Sequence, residues 1–235
     1  IRNELWREGA LTHAWRAGVH MRGEFLEDYA FYIHGLLALI QTDSSADSFQ
    51  WVGFAVELAQ KGVSLFQDER GRFFLRPSGV SDLIFRPHEE TDSALPSPGA
   101  MLIHSLLKLG RLTDRADFVR AGERGLRQLS GLMKDYGSGM TSSLIALDYY
   151  LTPKVEIVIT GQGEVREQMI ETVFRRYVPN ALVVSRVSAN GNHDLPLFQE
   201  RFAADGAARA YLCENSACRQ PITAVEELQE YLRAV

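Results

Sequence analysis

The heptapeptide Ile33-His34-Gly35-Leu36-Leu37-Ala38-Leu39 returns seventy positions later as Ile103-His104-Ser105-Leu106-Leu107-Lys108-Leu109. Each copy then runs on to a Thr-Asp pair, Thr42-Asp43 and Thr113-Asp114. Apolar residues at this spacing line one face of an amphipathic helix. A helix that recurs together with its flank marks a helical repeat, in which helices form the walls and the loops leading into them carry chemistry. The first copy has two adjacent carboxylates, Glu27 and Asp28, at its head. Stacked α/α-hairpins are the fold this pattern favours.

The rest of the first 152 residues fits the same scheme. The Arg-rich opening, with Trp6, Gly9, Trp15 and Gly18, reads as a loop or short strands leading into a helix from about Phe25 to Thr42. Ser44-Ser45-Ala46-Asp47 has turn and capping character. A second helix follows to about Phe66, with Trp51, Phe54, Ala55, Leu58 and Val63 on one face. Gln67 to Arg72 predicts a tight turn into Phe73-Phe74-Leu75, a small hairpin. The stretch from Pro77 to Pro98 is irregular and polar, and long loops in compact domains usually serve function. Further helices are expected over Gly99–Leu112, Asp114–Met133 (Phe118, Ala121, Leu126, Leu129 and Leu132 inward) and Ser138–Leu151, the last stopped by Pro153.

Beyond Pro153 the pattern changes. Val155-Glu156-Ile157-Val158-Ile159-Thr160 is β-branched, Gly161-Gln162-Gly163 is a turn, Glu164 to Tyr177 is helical and Ala181-Leu182-Val183-Val184 is again a strand. That is a β-α-β unit with a small parallel pairing. Residues 186–208 are loop-rich, 210–213 suggest another strand, and Thr223 opens a closing helix through a capping box with Glu226. The expected organisation is therefore helical hairpins over 1–152 and a small α/β unit over 153–235.

Composition narrows the function classes. A net charge of −5 leaves no basic stripe for nucleic acid. No apolar run reaches the roughly 18 residues of a membrane span. Two cysteines are too few for a secreted disulfide scaffold, so a cytoplasmic protein is expected. The chain opens on Ile1 rather than Met and reads as a fragment of a longer one.

Several residues have the chemistry of a site, each with a structural alternative. Glu27 and Asp28 are either capping carboxylates at a helix start, where the macrodipole favours negative charge, or groups that bind and protonate a ligand. His88-Glu89-Glu90-Thr91-Asp92 is either an acid/base cluster in the long loop or a solvated loop; one His among carboxylates is weak metal evidence, and no metal is expected. Arg86 could anchor an anion or pair with Asp92. His34 and His104, at equivalent repeat positions, read as core or helix–helix contacts. Cys213 and Cys218 have the wrong spacing for a dithiol redox motif; two reduced structural cysteines are expected, with a disulfide or a shared metal as alternatives. Gly161-Gln162-Gly163 lacks a Walker lysine and reads as a plain βα turn.

Five segments together resemble the YyaL-like, spermatogenesis-associated type of protein. They are Phe25-Leu26-Glu27-Asp28-Tyr29-Ala30-Phe31, Asp68 with Gly71-Arg72-Phe73-Phe74, Asp92-Ser93-Ala94-Leu95-Pro96-Ser97, Ala146-Leu147-Asp148, and Tyr211-Leu212-Cys213-Glu214-Asn215 with Cys218-Arg219-Gln220-Pro221-Ile222-Thr223. Members of that family join an N-terminal thioredoxin-like domain to an α/α-barrel of the glycosidase and sugar-epimerase type. The resemblance covers most of the chain and only the carboxy-terminal part of such a protein. One departure stands out: after Pro96-Ser97 the family tends to Gly and Asn, whereas Pro98-Gly99-Ala100 follow here, so if that Asn touches a ligand in the family this chain lacks the contact and a shared substrate is not implied.

The resemblance implies a mainly α fold, half of a six-hairpin toroid followed by the α/β unit. It implies a sugar-like ligand bound or converted at the barrel mouth, with Asp28, Glu27, Glu89 and Asp92 as catalytic candidates and Tyr29, Arg86, His88 and Ser97 as ligand-binding ones. No cofactor is expected. Glycosidic hydrolysis needs two carboxyls at a set separation, so the partner of Asp28 or Glu27 should come from Glu89 or Asp92. An open half barrel would expose an apolar edge of the size that marks an interface. The remainder of the polypeptide or a partner chain should cover it. The other expected role is a non-catalytic module that docks clients to a thioredoxin domain, with Cys213 and Cys218 as its redox residues.

Overall fold

A computed structural model describes residues 1–21, 23–43, 50–80, 83–153, 155–187, 195–199, 201, 205–215 and 217–234. The fold is mainly α with a small β part, and it divides into two compact units. The first comprises Ile1–Leu36, Phe54–Gly110 and Arg115–Tyr150; the second comprises Leu37–Gly53, Arg111–Asp114 and Leu151–Val235.

The chain starts with one turn of helix, α1 (Arg2–Leu5), and two antiparallel hairpins, β1 (Trp6–Arg7) with β2 (Ala10–Leu11) and β3 (Ala14–Arg16) with β4 (Val19–Met21). Their connections, Glu8-Gly9 and Ala17-Gly18, have positive φ at both positions. That is the type I′ geometry whose twist matches a two-residue hairpin, and it explains the spacing of the two glycines.

Five longer helices follow: α2 (Leu26–Thr42), α3 (Gln50–Phe66), α4 (Pro98–Thr113), α5 (Ala116–Asp135) and α6 (Thr141–Leu151). Pro98 occupies the first turn of α4, where its missing N–H costs nothing. The core of the first unit buries Tyr29 and Ile33 of α2, Leu58 and Phe66 of α3, Leu102, Ile103 and Leu106 of α4, Phe118, Ala121 and Leu126 of α5, and Tyr149 of α6. On α5 the buried position is Met133; Leu132, expected inward, is half-buried. Helices α4 and α5 approach closely because α5 has glycine where they meet: a Cβ on Gly125 would lie 2.6 Å from Ile103 Cδ1.

The small hairpin expected after α3 is a single bridge, Gln67 with Phe73. The Asp68 side chain closes it instead, accepting the Arg72 N–H at 2.8 Å. Gly71, at φ +97°, lets this turn press on α5, since a Cβ there would sit 2.7 Å from the Arg124 carbonyl oxygen. The turn expected at Ser44–Asp47 lies outside the described residues.

In the second unit β5 (Val155–Thr160), α7 (Glu164–Phe174) and β6 (Leu182–Arg186) form the β-α-β unit, with β5 and β6 parallel. β7 (Arg209–Glu214) pairs antiparallel with the other side of β5, and β8 (Ala217–Cys218) adds an edge, giving the order β6-β5-β7-β8. α7 stops at Phe174, three residues before the expected Tyr177. α8 (Val225–Ala234) closes the chain. Ile157, Ile159, Val183, Ala210 and Leu212 of the sheet form one core with Met169 and Val173 of α7 and Leu228 and Leu232 of α8. Among the described residues, no helix is long and apolar enough to cross a membrane.

Candidate functional site

The head of α2 is built by three hydrogen bonds. Leu26 N–H donates to the Leu75 carbonyl at 3.1 Å, which sets where the helix begins. One turn in, the Tyr29 hydroxyl donates to Glu24 Oε1 at 2.6 Å and accepts the Leu11 N–H at 3.0 Å. The last bond ties β2 to α2 and brings the linker between the two hairpins over the helix start. The linker carries His13, whose ring lies against Phe25 with centroids 4.6 Å apart. His13 Nδ1 is 2.9 Å from Asp28 Oδ2 and 3.2 Å from Oδ1.

Burial raises the Asp28 pKa above its ordinary value, opposed by the hydrogen bond and charge of His13. The Tyr29 hydroxyl is likewise pushed up, first by burial and then by Glu24, so it stays a proton donor. Glu27 is exposed, and it, His13 and Asp28 each offer one ligand atom within 4.8 Å of the others. Thr12, Gly23, Glu24 and Arg76 line an open cleft of about 390 Å³ in the same unit, and Arg76 stacks on Phe25 at 4.2 Å. With the Nδ1 proton directed at Asp28, Nε2 of His13 is left to take or give a proton.

The other expected site residues do different work. Asp92 Oδ1 accepts the Ser97 N–H at 2.9 Å and Oδ2 accepts the Ser142 N–H at 2.8 Å. Ser97 is buried before α4, its hydroxyl donating to the Glu89 carbonyl at 3.0 Å. The Glu89 side chain is exposed; the neighbouring Glu90 forms the ion pair, with Arg72 at 3.2 Å, and its Oε1 lies 3.6 Å from His88 Nδ1. Arg86 donates to the Arg76 and Leu65 carbonyls at 2.8 and 2.6 Å and lies over the Phe74 ring, with His88 edge-on to the same ring. No hydrogen bond or ion pair among the described residues links Glu89 or Asp92 to Asp28.

His34 and His104 face each other with ring centroids 6.2 Å apart, and His104 meets the Tyr149 ring edge-on at 5.2 Å. The expectation of two reduced cysteines is corrected: Cys213 and Cys218 form a disulfide. The register explains it, since β7 and β8 place the two residues opposite each other across the ladder. Cys213 is buried and Cys218 exposed.

His13, Glu24 and Arg76 did not stand out in the sequence. The one available signal for His13 is its place between the two X-Gly hairpin turns, which fold the opening segment back on itself.

No family profile matches the chain. It is similar to spermatogenesis-associated protein 20 of Homo sapiens and of Rattus norvegicus, at 28% identity over 215 residues in each case, 88% of this chain and 27% of theirs. It is also similar to an uncharacterized protein, B0495.5, of Caenorhabditis elegans, at 23% identity over 214 residues, 88% of this chain and 28% of the other. The chain thus spans about a quarter of the length of these relatives.

Proposed function

We propose that this chain is the α/α-hairpin portion of a carbohydrate-active-type toroid, belonging to a longer polypeptide that also carries a thioredoxin domain, and that it binds or converts a sugar-like ligand at the head of α2. The observation that carries this reading is the His13–Asp28 pair beside Glu27. A sugar offers many hydroxyls and few charges, so its site needs acceptors, a donor and one group that can pass a proton. Glu27 and Glu24 supply acceptors, Arg76 a donor and His13 the proton carrier, oriented by Asp28. Proton transfer by an imidazole suits epimerisation, in which a positioned group removes a proton from the substrate and another returns it.

The groove between α5 and α6, about 370 Å³ and lined by Leu126, Met133, Leu144, Leu147 and Tyr150, supports the toroid part of the reading. An apolar groove on the outer helices calls for a further hairpin, and the remainder of the polypeptide is its natural source.

The test is a thermal-shift screen of the complete protein against mono- and disaccharides and their phosphates, beside Asp28→Asn. A ligand at a hundred times its Kd adds about 2.7 kcal/mol, a rise of roughly a few degrees in the transition that unfolds this part of the protein. Asp28→Asn should lose that rise. A complete screen without a shift, or a shift the variant keeps, removes the sugar site from the head of α2.

The disulfide favours a second reading, a non-catalytic docking module that works with a thioredoxin domain. An incoming thiolate would attack the exposed Cys218 sulfur, Cys213 would leave as thiolate, and the second thiol of the dithiol partner would resolve the mixed disulfide. A thioredoxin-class protein lacking its resolving cysteine should therefore trap a covalent complex with the oxidised chain and none with Cys218→Ser. Failure to trap any complex retires this role.

A further inference from the structure

We propose that His13, Glu27 and Asp28 form a binding site for a divalent transition-metal ion. The proposal shares residues with the sugar reading but does not depend on it. The donor set is one imidazole and two carboxylates, with ligand atoms all within 4.8 Å of one another. Two ligands at right angles on bonds of about 2.1 Å lie about 3.0 Å apart. His13 Nδ1 and Asp28 Oδ2 are already at 2.9 Å. Glu27, adjacent in sequence and exposed, supplies the third corner, with a carboxylate oxygen within 4.8 Å of the other two ligand atoms.

The electrostatics favour a cation. Two carboxylates bring a charge of −2, against roughly half a positive charge at the helix start. Among the described residues, the one cation-capable partner that Asp28 touches is an imidazole, which must bind a proton to carry charge. Asp28 is only 20% exposed, so water compensates it poorly. A dication would replace the His13 proton and satisfy all three side chains at once. The imidazole selects for Mn²⁺, Co²⁺ or Zn²⁺ over Mg²⁺ or Ca²⁺, which prefer oxygen throughout. Three protein ligands leave positions open for water or for paired hydroxyls of a polyol.

The competing state is a metal-free hydrogen-bonded pair, and a titration separates the two. Mn²⁺ is added to the complete protein after chelator treatment, with no sugar present, and the free ion is followed by its electron paramagnetic resonance signal. The expected result is one ion bound per chain, weakened at least tenfold in Glu27→Gln and at least tenfold in His13→Gln. Glu27 is exposed, so the first variant folds even if the second does not. Zn²⁺ should displace the Mn²⁺. The proposal is overturned if no ion binds up to millimolar concentration, or if Glu27→Gln, or His13→Gln where it folds, binds as the parent does. Because sugar is absent, failure here leaves the sugar screen standing, and that screen run in chelator tests the sugar site alone.

Discussion

Asp92→Ala is expected to destabilise the first unit by about 2–4 kcal/mol and lower its melting temperature by roughly 10 °C, the larger cost being that of two charged helix caps lost together. The carboxylate is shared between two helix starts. Its Oδ1 takes the Ser97 N–H just before α4, and its Oδ2 takes the Ser142 N–H in the first turn of α6. The Asp92 N–H donates to the Gly139 carbonyl at 2.8 Å, which fixes the residue between them. Bonds from N–H groups at a helix start to a charged oxygen are stronger than neutral ones, and the macrodipole adds to each. Alanine leaves both N–H groups without their acceptor. Asparagine keeps one oxygen and turns an amide NH₂ towards the other donor, so Asp92→Asn should cost about half as much.

The same measurement decides what Asp92 is for. A ligand-binding or acid/base carboxylate can be removed with little effect on stability, often with a gain, since functional groups are held at some cost. Urea unfolding of the Ala variant within about 0.5 kcal/mol of the parent would return Asp92 to the catalytic candidates. The expected loss makes it the clasp that sets the register of α4 against α6.

Local signals and long-range ones differ in what the sequence reveals here. Helices α2 to α6 were legible because Leu and Ile at 3.6-residue spacing must share a buried face, as Ile33 and Leu37 or Leu102 and Leu106 do. β5 and β6 were legible from their β-branched runs. β8 was not, since Ala217-Cys218 has no strand signature and exists only by pairing with Cys213 and Glu214. Glu27 and Asp28 declared themselves as neighbours at a helix start. Their partner did not: His13 reaches Asp28 across fifteen residues, through the Ala17-Gly18 turn and the Leu11–Tyr29 bond. Asp92 shows the opposite failure. Its residue type suggested acid/base chemistry, and nothing nearby announces that an N–H fifty residues away takes one of its oxygens.

Lowering the pH from 7.5 to 5 is expected to cost the first unit about 2 kcal/mol through His104 alone. The pKa of His104 is pushed down from 6.5 to about 3, first by burial and then by the charges of Lys108 and His34. The unfolded chain therefore takes up a proton near pH 6.5 that the folded chain refuses until about pH 3. Stability is whole above pH 7.5 and falls steadily as pH drops through that window. His34, also pushed down by burial and by Lys108, adds to the loss in the same direction. Lys108 Nζ lies 5.6 Å from the Tyr149 ring centre, on the element that carries His104, so a charged imidazole would face a cation as well as a poorly solvated site. His104→Gln keeps a polar side chain of similar length and cannot titrate. Urea unfolding of both proteins at pH 7.5 and pH 5 should show the variant losing about 2 kcal/mol less than the parent over that interval, whatever the substitution costs at pH 7.5. Equal losses in the two proteins would mean that His104 takes up its proton without unfolding, and that the paired histidines of α2 and α4 are open to water.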